Sequence, residues 1–185
     1  MGNIVLFTIY SIILFLPAFI GNPGAVITGG YIKMDLGKSF HGKRILGDGK
    51  SWSGFIGGSL TGILSGIIIF YTVILLKIPY GNYGKTIFDA IYVLIPMSFG
   101  SLLGDMIGSF IKRRTGLKRG AKGSILDQWP FVIMSFLLLF IFARPFFLKF
   151  YGNLITIIVI LVMTPPVHRG VNILAYKFNI KDVPW

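Results

Sequence analysis

Five apolar runs take up most of this chain, at residues 4–20, 55–76, 87–111, 131–144 and 154–175, with short polar connectors between them. A helix rises about 1.5 Å per residue, so runs of this order match a hydrocarbon core roughly 30 Å thick. The connectors leave no stretch long enough for a separate soluble domain. Residues 1–185 therefore read as one membrane-embedded domain, an all-α integral membrane protein of five transmembrane helices. Only 13% of residues are charged and mean hydropathy is +0.78, against roughly 25% charged in soluble domains. The first run has no basic segment before it and reads as a retained helix.

The sequence also predicts where the runs stop. Gly21-Asn22-Pro23-Gly24 should end the first, since proline lacks the helix donor and glycine is a poor helix former. Pro165-Pro166 should kink or unwind the fifth. Glycines recur every fourth residue at Gly54, Gly58, Gly62 and Gly66 in the second run, and at Gly100, Gly104 and Gly108 in the third. Such stripes let helices approach closely, and these two runs are expected to meet backbone to backbone.

Lys and Arg assign the sides. Five lie between the first two runs (Lys33, Lys38, Lys43, Arg44, Lys50), six between the third and fourth, and three in the tail (Arg169, Lys177, Lys181). The opposite side holds only four: Lys77, Lys85, Arg144 and Lys149. The positive-inside rule then predicts an external N-terminus, a cytoplasmic C-terminus and two large cytoplasmic loops, at 21–53 and 112–129. Counting inward by helix rise puts Asn22, Asp105 and His168 in one layer just under the cytoplasmic face.

Chemistry concentrates between Gly104 and Pro130. Asp105 is a carboxylate inside an apolar run, where an acid is costly and points to function. Six cations come after it: Lys112, Arg113, Arg114, Lys118, Arg119 and Lys122, interleaved with Gly116, Gly120 and Gly123. Glycines let a backbone turn tightly and offer amides to an anion. Asp127 closes the segment. Two acids around a glycine-rich basic loop suit a divalent metal and a polyphosphate. The chain has no cysteine and no glutamate, and only two histidines, so thiolate chemistry is excluded. Oxygen-ligated Mg2+ suits Asp105 and Asp127 better than zinc does. The first loop adds Lys43, Arg44, Asp48 and Lys50, and convergent cations are what a triphosphate requires. His41, in the same loop, reads as a polar surface residue. The net charge of +12 is accounted for by phosphates, headgroups and topology, without nucleic acid.

Ser109, Lys112, Arg113, Lys118, Ile125 and Asp127 resemble the C-terminal signature of the CTP:phosphatidate cytidylyltransferases. The first-loop pattern GKR-ILGDGK-W resembles their archaeal branch, the CDP-archaeol synthases. So does the tail, with Pro165-Pro166, His168-Arg169, Asn172, Ala175-Tyr176 and a closing Lys181-Asp182-Val183-Pro184-Trp185. The likeness covers nearly the whole chain. Three positions depart from the wider signature: Arg119 stands for an acid, Ser124 for a glycine and Gln128 for an arginine.

The resemblance implies cytidylyl transfer at the cell membrane, on its cytoplasmic face. CTP and an isoprenoid ether lipid phosphate, 2,3-bis-O-(geranylgeranyl)-sn-glycerol 1-phosphate, would give a CDP-activated lipid and pyrophosphate. It implies catalytic roles for Asp105, Asp127, Lys112 and Lys118, the two acids holding Mg2+. Substrate contacts would come from Asn22, Lys43, Arg44, Asp48, Lys50, Ser109, Arg113, Arg119, Gly120, Ser124, His168 and Arg169. The residues themselves are compatible with this chemistry: a phosphomonoester has its second pKa near 6 and needs no general base, and the chain is rich in cations but poor in nucleophile–base pairs. A transporter would be expected to show an inverted repeat, and none is evident. A simple anionic-lipid binder leaves the paired aspartates unexplained. The clustered acid motif of the CDP-alcohol phosphotransferases is absent.

Overall fold

The computed structural model describes residues 2–117 and 125–178. Lys118, Arg119, Gly120 and Ser124 lie outside the described residues. Among those described, four helices are long and apolar enough to cross a membrane: α1 (Gly2–Thr28), α2 (Trp52–Leu75), α3 (Ile87–Arg114) and α7 (Leu154–Lys177). A two-stranded antiparallel hairpin, β1 (Ser39–Phe40) and β2 (Lys43–Arg44), sits between α1 and α2. Three shorter helices, α4 (Ile125–Gln128), α5 (Pro130–Phe142) and α6 (Arg144–Tyr151), link α3 to α7.

The expected fourth span is divided. Its α5 has only 13 residues, about 20 Å of helix. The backbone leaves helical geometry at Ala143 (φ −125°, ψ 45°) and α6 restarts with Pro145 in its first turn, where proline's missing donor costs nothing. Ring contacts place α5 and α6 along α1. Phe131 packs on Phe19 (5.6 Å between centroids), Phe136 on Phe15 (4.9 Å) and Phe150 on Phe7 (5.7 Å). The two short helices together thus run antiparallel to α1 from its Phe19 level to its Phe7 level.

Three sequence expectations are corrected. First, α1 does not stop at Gly21; it runs through Pro23 to Thr28. Tertiary packing overrides the proline penalty. A Cβ on Gly24 would strike Thr61 of α2, and one on Gly58 would lie 2.6 Å from the Gly21 carbonyl oxygen. Ending the helix there would forfeit this contact and expose backbone groups at membrane depth. Second, α7 continues through Pro165 and Pro166 without unwinding. Proline's fixed φ is already helical, so the helix carries on past the two missing donors. Third, the glycine stripes do not face each other. Helices α2 and α3 do pack, but Gly54 and Gly58 meet α1, Gly62 meets both the Pro17 carbonyl of α1 and Ser98 of α3, and Gly66 meets Leu94 of α3. The α3 stripe turns the other way, with Gly100 against Ser135, Gly104 against Pro130 and Phe131, and Gly108 against Leu126. Glycine spacing reveals close packing but not the partner helix.

The helix starts are locally encoded. Thr86 and Asp89 form a reciprocal capping box on α3, satisfying two free amides. Ser51 caps α2 by accepting from Gly54 N (3.1 Å) and also accepts from Gly30 N (3.0 Å), tying the end of α1 to the start of α2.

Candidate functional site

The loop between α1 and α2 is built on Asp35, whose side chain is fully buried. Its carboxylate accepts from Arg44 Nη2 (2.7 Å) and Nε (3.2 Å), and from the amides of Gly37, Leu46 and Gly47 at 3.0–3.1 Å. Burial pushes the carboxyl upward in pKa. The Arg44 fork and the three amides outweigh it and hold the group well below the usual carboxylate range. Arg44 also reaches Asp48 (3.0 Å), which in turn pairs with Lys33 (2.6 Å). Arg114, at the end of α3, donates to the Phe40, Lys43 and Arg44 carbonyls at 2.5–2.9 Å. Lys43 Nζ returns a bond to the Arg114 carbonyl (3.1 Å). Arg44 and Asp48 are thus spent on holding the loop together, and Arg114 clamps that loop to α3.

This scaffold aims Lys50 inward, where its ammonium pairs with Asp105 of α3. Both side chains are mostly buried, 22% and 28% exposed, and an acid under a membrane surface is tolerable when so paired. They line a cavity with Asn22 and Pro23 of α1, Phe131 of α5, and His168 and Asn172 of α7. Asn22, Asp105 and His168, from three helices, therefore share one chamber. The His168 ring stacks on Phe131 (6.3 Å) and its Nδ1 lies 3.2 Å from Asn172 Nδ2. Asn22 Oδ1 is buried without a hydrogen-bond partner among the described residues. An orphaned carbonyl oxygen and a carboxylate lining one chamber are hard-oxygen donors, so the chamber's chemistry fits Mg2+, which takes one or two carboxylates and completes its shell with water and phosphate.

The other expected residues are more dispersed. Lys112 pairs with Asp127 of α4, seven residues beyond Asp105, or about 10 Å along α3, and neither lines the chamber. Ser109 is buried on α3 between the two pairs. Arg113 lies beside Gly47, with its Nε buried and unpartnered among the described residues. Arg169 is exposed on α7 and does not line the chamber. Sequence reasoning gave no site role to Asn172 or to the loop residues Met34, Gly49 and Ser51 that complete the wall. Asn172, four residues after His168 on one helix face, carried a usable signal.

Known proteins resemble this chain over its full length. The family model described as "CarS-like: CDP-archaeol synthase" matches residues 1–185. The CDP-archaeol synthase of Picrophilus torridus is 69% identical over 185 residues, covering all of both chains. That of Methanospirillum hungatei is 42% identical over 171 residues, covering 92% of this chain and 99% of the relative. A solved structure of "an intramembrane enzyme for archaeal membrane lipids biosynthesis" superposes with a TM-score of 0.59 at 28% identity, covering 92% of each chain. The chain belongs to the CDP-archaeol synthase family.

Proposed function

We propose that this protein transfers the cytidylyl group of CTP to 2,3-bis-O-(geranylgeranyl)-sn-glycerol 1-phosphate, releasing pyrophosphate and leaving a CDP-activated archaeal lipid. The observation that carries the reading is the chamber where the Lys50–Asp105 pair meets Asn22 and His168. It combines a cation, a carboxylate and neutral polar groups at the end of the helices where the basic loop attaches. A soluble nucleotide entering past that loop and a lipid headgroup entering between helices would meet there.

The lipid phosphate is largely dianionic at neutral pH and is itself the nucleophile. Its oxygen attacks the α-phosphorus of CTP as the bond to the β,γ-pyrophosphate breaks, with attacking and leaving oxygens in line. No proton need be removed, so the protein's contribution is alignment and charge neutralisation. Lys50 and Lys112 are placed to hold phosphate oxygens, each beside one acid. Asn22 and His168 orient the reacting groups from the helix side of the chamber. Asp105 and Asn22 would hold Mg2+ in the chamber, which when bound supplies further neutralisation of the polyphosphate, while Asp127 keeps Lys112 in place beside it. Arg113 and the cations at 118–119 would extend the positive charge toward the triphosphate, and Arg169 would fork onto the lipid phosphate.

We further propose five crossings, with α5 and α6 together as the fourth, the N-terminus outside and both basic loops cytoplasmic. The contact ladder along α1 and the distribution of Lys and Arg support this arrangement. The test of function is purified protein in nanodiscs with radiolabelled CTP, with and without the lipid phosphate and with and without Mg2+. Label should enter the lipid fraction only when all are present. Transfer without Mg2+, or CTP consumption independent of lipid phosphate, would sink the reading.

A further inference from the structure

The loop between α1 and α2 displays large apolar side chains to its surroundings. Tyr31 is 76% exposed, Ile32 67% and Leu36 66%, beside Trp52 at 46%. Two of these are also held in backbone geometry that L side chains avoid, Ile32 at φ 52° and Leu36 at φ 47°. A β-branched residue there is an outlier. A loop facing water would hold Gly, Asn or Asp at these positions with less strain.

Hydrogen bonds fix the height of these residues. Trp52 N, at the start of the α2 span, donates to the Ile32 carbonyl (2.9 Å), and Met34 N donates to the Lys50 carbonyl (3.0 Å). Lys33 bridges antiparallel to Ser51. Residues 32–34 therefore lie level with the membrane end of α2. The chain then turns instead of climbing, because Leu36 N donates back to the Lys33 carbonyl (3.0 Å). Such a turn keeps its ends within about 7 Å. The headgroup layer on one side of a bilayer is itself roughly 5–8 Å deep. A segment held this close to the end of an apolar span is within reach of such a layer. Beyond Leu36 in the chain, Lys38 and Lys43 are exposed and pair with no carboxylate among the described residues.

We propose that this segment is an interfacial foot: Tyr31, Ile32 and Leu36 seat in the headgroup layer of the bilayer the chain spans, and Lys38 and Lys43 hold anionic lipid phosphates above it. Apolar side chains flanked by cations are the composition that binds such a surface. The foot anchors the loop that carries Lys50, and it stands or falls separately from the proposed chemistry.

The natural absence of cysteine makes the test direct. Leu36→Cys and, separately, Tyr31→Cys are labelled with an environment-sensitive fluorophore in nanodiscs. The discs carry either anionic or zwitterionic lipid, with a nitroxide near the headgroup end of the acyl chain. The proposal expects several-fold stronger quenching by the nitroxide than by aqueous iodide at both sites. Replacing Lys38 and Lys43 by Gln should reduce nitroxide quenching in anionic discs and leave it unchanged in zwitterionic ones. Iodide quenching that dominates at both sites would overturn the seat in the membrane and leave the patch to a soluble partner. Insensitivity of the anionic discs to the lysine changes would overturn the phosphate contacts.

Discussion

Replacing Gly100 by Ala tests the packing that positions the chamber wall. An ideal Cβ on Gly100 would lie 2.7 Å from Ser135 Cα and 2.9 Å from the Met134 carbonyl oxygen, where ordinary contact begins at 3.4 Å. Both obstacles are backbone, so no rotamer change relieves them and α5 must back away by about 0.7 Å. Overpacking of this kind costs about 1–3 kcal/mol. The Ser135 hydroxyl donates to the Met97 carbonyl (3.0 Å) across the same contact, and weakening that bond adds about 0.5–1.5 kcal/mol. Set against the helix-propensity gain of about 0.5–1 kcal/mol that any mid-helix Gly→Ala change brings, the expected net loss is about 0.5–4 kcal/mol, read by reversible unfolding in mixed micelles. Turnover should fall as well, because α5 carries Phe131, which packs on Phe19 and His168 at the chamber. Gly170→Ala is the control. Nothing among the described residues lies within 4 Å of its added methyl, so helix propensity alone predicts a gain of about 0.5–1 kcal/mol. A Gly100→Ala protein as stable as wild type would refute the helix contact on which this account of α5 depends.

Cysteines introduced at Ser39 and Ser124 should react only with reagents on the cytoplasmic side, and labelling of either from outside would contradict the proposed orientation. Asp35→Asn should weaken the first loop by about 1.5–3 kcal/mol at neutral pH, read as faster limited proteolysis. Asp35's folded pKa is depressed, so its contribution is complete above the unfolded value near 3.9 and is lost as pH falls toward the folded one. The gap between wild type and variant should therefore close in strong acid, and a gap that is constant with pH would exclude the charge. Arg169→Lys should raise KM for the lipid phosphate or lower kcat while leaving CTP binding unchanged, and a defect confined to CTP would reverse its assignment.

Features governed by hydropathy and helix rise were legible in the sequence. The costly acid at Asp105 and the common depth of Asn22, Asp105 and His168 were both readable, and these three residues line one chamber. Tertiary choices were not readable. Pro23 looked like a helix stop because local propensity cannot register the α2 contact that carries α1 onward. The glycine stripes announced close approach without naming α1 or α5 as partners. Asp35 carries no signal of its own in the sequence, since three of the donors to its carboxylate are backbone amides, which leave no trace in residue type. Lys50 and Arg44 were equivalent as loop cations. Only the fold spends one on Asp35 and delivers the other to Asp105.

The most direct test of the chamber is the turnover of Asp105→Asn beside wild type, in the same nanodiscs and at the same Mg2+, CTP and lipid phosphate concentrations. The substitution keeps the side chain's size and removes its charge, leaving Lys50 without its carboxylate. Membrane insertion should be retained and stability should fall by about 1.5–3 kcal/mol as Lys50 loses its partner, while formation of CDP-lipid by the folded protein falls by at least about a hundredfold, the scale set by losing one electrostatic contributor to a transition state. Wild-type turnover in a folded Asp105→Asn protein would show that the Asp105 charge has no part in the transfer.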